Sequence, residues 1–183
     1  LKLRGFSRHN LIQEEMKMLS VEKKPLFDRI LYGLYKRTSL KYTLNIPAPL
    51  YLRGLAFFED VSDLSGIMYR VNDLLGMLYD DFLYKVKEKD DIQFIYTQLM
   101  MLEQGLSQRY PAQQVEETIE NDGGLFYLRN VETTKKIKIT KLEIELSYKM
   151  ALRGEILLSD MDVQYPNHPF TLEEVLEILF CDF

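Results

Sequence analysis

Residues 63–89 read DLSGIMYRVNDLLGMLYDDFLYKVKEK, and this stretch decides the fold class. Large apolar residues recur in it every three or four positions, a spacing that places them on one stripe of an α-helix. They are Leu64, Ile67, Met68, Val71, Leu74, Leu75, Leu78, Phe82 and Val86. With Ser62 as N-cap, the helix is roughly 40 Å long at about 1.5 Å per residue. We therefore predict one long central helix, in which Gly66 and Gly76 mark a bend or a close helix crossing.

Shorter helices are predicted on both sides of this central one. Apolar spacing and capping residues indicate helices over residues 10–19, 25–35, 50–58, 91–106, 113–120 and 172–180. Thr140 and Glu143 form a capping-box pattern that opens a further helix, and Gly154 is the expected residue after its last turn. Thr171 and Glu174 make the same pattern at the start of the last helix.

A change of period indicates one small β-hairpin near residues 125–140. Residues 125–129 and 136–140 have the pattern of two short strands, and Lys136-Ile-Lys-Ile139 alternates strictly. The fold class expected is therefore mainly α, a helical bundle-like domain built on the long helix with this hairpin attached. We expect a single domain over residues 1–183, with a possible division into a helical core (1–106) and a small α+β lobe (112–183).

Composition narrows the class of protein further. The chain is 46% hydrophobic and 28% charged, which is typical of a globular domain and too apolar for a disordered one. No apolar run reaches the length of a membrane span, and no signal peptide is apparent. Cys181 is the single cysteine, so an internal disulfide is excluded and a reducing compartment, the cytoplasm, is expected.

Charge is sorted along the chain. Residues 1–44 hold ten Lys and Arg against four Asp and Glu, whereas residues 154–183 hold seven acids and no Lys or Arg. Residues 45–128 are acidic and residues 129–153 are basic. Such asymmetry predicts docking between complementary surfaces, either within one molecule or between molecules.

No catalytic set can be recognised. The chain lacks a Gly-x-Ser-x-Gly elbow and the common glycine-rich phosphate loops, and its two histidines, His9 and His168, are far apart in sequence. We therefore expect no catalytic residue, no bound cofactor and no zinc site. A weak alternative is a metal-dependent hydrolase. Its ligands would be Glu116, Glu117 and Glu120, one turn apart on the predicted helix, with Asp80 and Asp81.

The basic segment provides a second alternative, a nucleic-acid-associated regulatory factor. Lysines on a β-ribbon can follow a phosphate backbone. The residues concerned are Arg129, Lys135, Lys136, Lys138 and Lys141, and the basic N-terminus is another possible contact. Against this, no predicted helix carries the Arg, Asn and Gln series of a major-groove reader.

The polar side of the central helix carries Tyr69, Asp73, Met77, Asp80 and Tyr84. Tyr and Met are enriched at protein interfaces, so this side either packs within a larger bundle or docks a partner. The favoured function is a non-enzymatic regulatory or adaptor protein. It would bind another protein or a second copy of itself, with Tyr69, Met77 and Tyr84 as the expected contact residues.

Overall fold

A computed structural model describes residues 4–19, 38–110, 114–122, 125–133 and 137–183, with the backbone alone for the strands between 114 and 133. The described residues form six α-helices and four β-strands. The helices are α1 (Leu11–Leu19), α2 (Ala48–Ser65), α3 (Val71–Lys89), α4 (Ile92–Arg109), α5 (Tyr148–Gln164) and α6 (Leu172–Asp182). The strands are β1 (Ser39–Pro47), β2 (Gln114–Asp122), β3 (Leu125–Thr133) and β4 (Ile139–Ser147). The helix predicted over residues 25–35 lies outside the described residues.

The mainly helical prediction is confirmed, and so is the presence of a small antiparallel hairpin. The position of the hairpin differs from the prediction. β3 pairs with β2, with Ile119 opposite Leu128, so the hairpin precedes residue 134 and the helix predicted over residues 113–120 is wrong. Apolar residues such as Val115 and Ile119, four apart, suit one helical face, but the same spacing also suits one face of a strand.

The long central helix is interrupted, because α2 ends at Ser65 and α3 begins at Val71. Gly66 adopts a left-handed conformation with φ 69°, and its N–H donates to the Ser62 carbonyl at 2.9 Å. Ser62 Oγ then accepts from Tyr69 N at 3.1 Å, and Arg70 N donates to Asp73 Oδ2 at 2.8 Å at the start of α3. Glycine favours such a helix end since it has no Cβ to oppose positive φ. The prediction of one continuous helix is therefore wrong at Gly66.

A second antiparallel sheet joins distant parts of the chain, β1 and β4. Leu40 lies opposite Leu146, Tyr42 opposite Ile144 and Leu44 opposite Leu142, and all six side chains are buried. The helix predicted after Thr140 is therefore wrong up to Ser147. Polar and apolar residues alternate from Lys141 to Ser147, and this period of two prevails over the local capping pattern.

α5 and α6 line the other side of the core. α5 continues through Gly154, so this residue is not the helix end that the sequence predicts. A side chain there would overlap the Tyr79 hydroxyl of α3 and meet Leu172 Cδ1 at 2.7 Å, so glycine allows close packing of α3, α5 and α6. α6 begins with the predicted capping box, in which Thr171 Oγ1 accepts from Glu174 N at 3.3 Å.

Candidate docking surface

The break between α2 and α3 exposes three large apolar side chains within five residues. Leu64 is 89% exposed, Met68 83% and Ile67 57%. We call these three residues the apolar corner. Single exposed apolar residues are common on proteins, but three within five residues favour an interaction surface. The sequence placed all three on the buried stripe, so the apolar corner was missed as a site.

An open depression of about 620 Å³ lies beside the apolar corner. Apolar side chains of α2, α3 and the connecting turn line it: Leu55, Phe58, Met68, Tyr69 and Val71. Glu59, Asp63 and Arg70 supply charged groups at the same depression. An apolar centre with a charged rim is the usual anatomy of a protein-binding surface. Tyr69, one of the predicted contact residues, therefore lies at this depression, half-buried in the turn and not on a helix.

The other two predicted contact residues lie on the exposed side of α3. Met77 and Tyr84 are each more than half exposed, and Asp73 and Asp80 are exposed on the same helix. The spacing of these four residues places them on one face. This face of α3 meets solvent, so the alternative in which it packs inside the bundle is wrong for Met77 and Tyr84.

The described residues among those predicted to bind nucleic acid do not form one continuous basic surface. Lys138 and Lys141 are exposed at β4, Arg129 lies on β3, and Lys135 and Lys136 lie outside the described residues. The exposed side of the β1–β4 sheet mixes charges, since Lys41 lies opposite Glu145 and the exposed Glu143 follows two residues after Lys141. A phosphate backbone favours an uninterrupted basic strip, so this arrangement does not favour the nucleic-acid alternative.

The predicted metal ligands do not share a helix. Glu116, Glu117 and Glu120 lie on β2, so the one-turn spacing that suggested a carboxylate cluster is lost. Asp81 is exposed on α3 and pairs with Lys85 at 2.6 Å. Among the side chains that the structure describes, no three His, Cys, Asp or Glu residues lie close enough to hold a metal ion.

A second cavity, of about 240 Å³, lies between α4, α6 and β1 and contains Glu103, Glu177 and Cys181. Glu177 Oε1 accepts from Asn45 N at 2.6 Å, and burial raises the pKa of Glu177. Burial, and then the nearby Glu177 charge, raise the pKa of Cys181 to about 12, so its thiol is neutral and unreactive at neutral pH. The contact between Glu177 and Asn45 ties α6 to β1.

A buried carboxylate, Glu155 of α5, is the most enclosed charged group in the described part of the chain. It accepts hydrogen bonds from Ser7 Oγ and, at 3.1 Å, from Ile12 N in the first turn of α1. Ser7 lies near the Tyr42 hydroxyl, which has no hydrogen-bond partner in the part of the chain that the structure describes. Burial, helped by the Glu155 charge, raises the pKa of Tyr42 far above its usual value.

Residues 4–10, which we call the N-terminal arm, connect this cluster to the acidic C-terminal part. Arg4 pairs with Asp162 at 2.6 Å, and Arg8 N donates to Glu173 Oε1 at 3.0 Å. Phe6 stacks on the ring of the buried His168, with 5.8 Å between ring centroids. Part of the sequence's charge asymmetry is therefore used within one molecule, because the basic arm binds α5 and α6.

No described helix has the combined length and apolarity that crossing a bilayer requires. No protein-family model, no curated protein and no solved structure matches this chain. Its proposed function therefore rests on its surface chemistry.

Proposed function

We propose that this protein is a non-enzymatic regulatory or adaptor protein that binds another protein through the apolar corner. The observation that carries the proposal is the exposure of Leu64, Ile67 and Met68 beside an apolar depression. Burying one such side chain contributes about 1.5–3 kcal/mol. Three such side chains therefore contribute favourably against the free-energy cost of association.

The partner that fits this surface presents aliphatic or aromatic side chains to the depression. Methionine is flexible and polarizable, so Met68 can adapt to side chains of different shape. The wall of the depression contains the half-buried Tyr69, and tyrosine rings are enriched at binding hot spots.

The exposed face of α3 extends the proposed contact toward the rim. Met77 and Tyr84 offer further apolar area, and Asp73 and Asp80 add negative charge between and beside them. A partner with basic residues around an apolar centre matches this combination. Charged groups at a rim chiefly raise the association rate, whereas the apolar centre determines how long the complex lasts.

The direct test is quantitative affinity capture with wild type, Met68→Asp and Val163→Asp. Val163 is the matched control because it is also a strongly exposed apolar residue, on α5 rather than at the apolar corner. We expect a partner that wild type and Val163→Asp retain in high salt and that Met68→Asp loses. Calorimetry with the purified partner then measures a loss of affinity of at least about tenfold, or about 1.4 kcal/mol.

Two results contradict the proposal. One is a partner that binds Met68→Asp and wild type equally well. The other is a partner that is released by moderate salt and is insensitive to Met68, which indicates a purely electrostatic contact elsewhere on the molecule.

A further inference from the structure

The two outer edges of the β1–β4 sheet differ in how far their outward backbone N–H and C=O groups are hydrogen-bonded. Tyr148 N donates to the Thr38 carbonyl at 3.0 Å, and Ala48 N donates to the Lys138 carbonyl at 2.8 Å. In an antiparallel ladder, residue pairs that share backbone hydrogen bonds alternate with residue pairs that share none. The even-numbered residues therefore bond across the sheet, and the odd-numbered residues direct their N–H and C=O groups outward.

Side chains of the same molecule cover the outer edge of β1. His9 Nε2 of the N-terminal arm donates to the Lys41 carbonyl at 2.8 Å. Glu177 of α6 accepts from Asn45 N at 2.6 Å. These contacts satisfy backbone groups that a partner strand would otherwise need, so the edge of β1 is closed to strand addition.

The described residues supply no such cover for the outer edge of β4. Among the described residues, no hydrogen bond reaches the outward backbone groups of Lys141, Glu143 or Glu145, and β2 and β3 form a separate sheet. All three side chains are exposed, while Leu142 and Ile144 between them are buried. A long strand with an open edge is a template for another strand.

We propose that the open edge of β4 binds the same edge of a second copy of this chain. The strands run antiparallel and form a four-stranded sheet in the order β1, β4, β4 of the second copy, β1 of the second copy. This contact lies apart from the apolar corner and does not depend on it.

Charge complementarity favours a second copy as the occupant. When Lys141 lies opposite Glu143 of the other copy, the twofold symmetry repeats the pair, so two Lys–Glu pairs form. Shifting the strands to place Glu143 opposite Glu143 sets like charges together, which is destabilising. In the favoured register every outward N–H between Ile139 and Glu145 meets a carbonyl of the second copy.

Sedimentation equilibrium of the full chain tests this inference. Wild type is expected to approach twice its mass of 21.7 kDa as concentration rises. Glu143→Pro removes an outward N–H that the β1 ladder does not use, so the fold is retained and the dimer dissociation constant rises at least tenfold. Thr43→Pro is the matched control, since Thr43 lies directly opposite Glu143 on the covered edge, and it leaves the dissociation constant unchanged.

Two charge variants keep the test decisive if a proline variant fails to fold. Glu143→Lys places Lys opposite Lys141 and weakens the dimer about tenfold. Combining it with Lys141→Glu restores opposite charges and the dimer. Circular dichroism checks folding in each variant.

Three outcomes overturn the inference. The first is a wild type that stays monomeric up to about 1 mM, where even a weak specific contact is populated. The second is a dimer that both Glu143 variants leave intact. The third is a dimer lost in Met68→Asp alone, which moves the contact between copies to the apolar corner and leaves the edge of β4 without a role.

Discussion

Charged side chains are usually exposed and apolar ones buried, but Glu155 and the apolar corner show the opposite arrangement. A carboxylate lies fully buried on α5, whereas Leu64, Ile67 and Met68 lie in water. The difference is in what each contacts. Glu155 binds Ser7 and the first turn of α1 and so ties the N-terminal arm to the core. The side chains of the apolar corner are largely free of the core, which makes them available to a partner at little cost to the fold.

The largest effect is expected for Glu155→Ala. The substitution leaves the Ser7 hydroxyl and the Ile12 N–H without an acceptor in a buried site, and each such group costs about 1–3 kcal/mol. We expect the free energy of unfolding to fall by about 2–5 kcal/mol in urea titration, with the N-terminal arm losing hydrogen-exchange protection first. Asp160→Ala, at an exposed acid of the same helix, is the control and changes stability by less than about 0.5 kcal/mol. Equal effects of the two substitutions would mean that the buried carboxylate does not hold the arm.

An intermediate effect is expected for Gly154→Ala. The new methyl group meets the Tyr79 hydroxyl and Leu172 Cδ1, and such overpacking costs about 1–3 kcal/mol. Gly76→Ala is the control, because no atom lies within 4 Å of its Cβ position and the gain in helix propensity stabilises α3 by about 0.5–1 kcal/mol. In thermal unfolding, Gly154→Ala should lower Tm and Gly76→Ala should raise it.

Removing the Tyr79 hydroxyl sharpens this test. Tyr79→Phe relieves one of the two contacts, so the double variant Tyr79→Phe with Gly154→Ala should be more stable than the two single effects predict. Strictly additive effects on stability would show that the packing of α3 on α5 does not limit the size of the side chain at residue 154.

The smallest effect on stability is expected at the apolar corner. Met68→Asp changes the free energy of unfolding by no more than about 0.5 kcal/mol, since the side chain is almost fully exposed in the folded and the unfolded state. Phe58→Ala, at a buried ring lining the adjacent depression, costs about 3–5 kcal/mol by comparison. A large loss for Met68→Asp would place the apolar corner among the structural residues and remove the main support for the proposed docking function.

Hydrogen bonds between near neighbours account for the parts of the fold that the sequence predicted correctly. α1, α4 and α6 begin close to the expected residues, and the Thr171–Glu174 capping box needs only a four-residue segment to form. The break at Gly66 is also local, and the Ser65-Gly66 pair is the signal that could have revealed it. Recognising this break would have released Leu64, Ile67 and Met68 from the predicted buried stripe.

By itself, the sequence determined the mainly helical class, the helix ends with local caps and the asymmetry of charge, because periodicity and capping act over one or two turns. Only the tertiary structure decided that residues 139–147 pair with residues 39–47, that Glu155 is buried and that the apolar corner meets water. Helical spacing shows that a stripe is apolar, but the neighbours that cover or expose it come from distant parts of the chain. The candidate surfaces therefore depend on contacts that no local pattern contains.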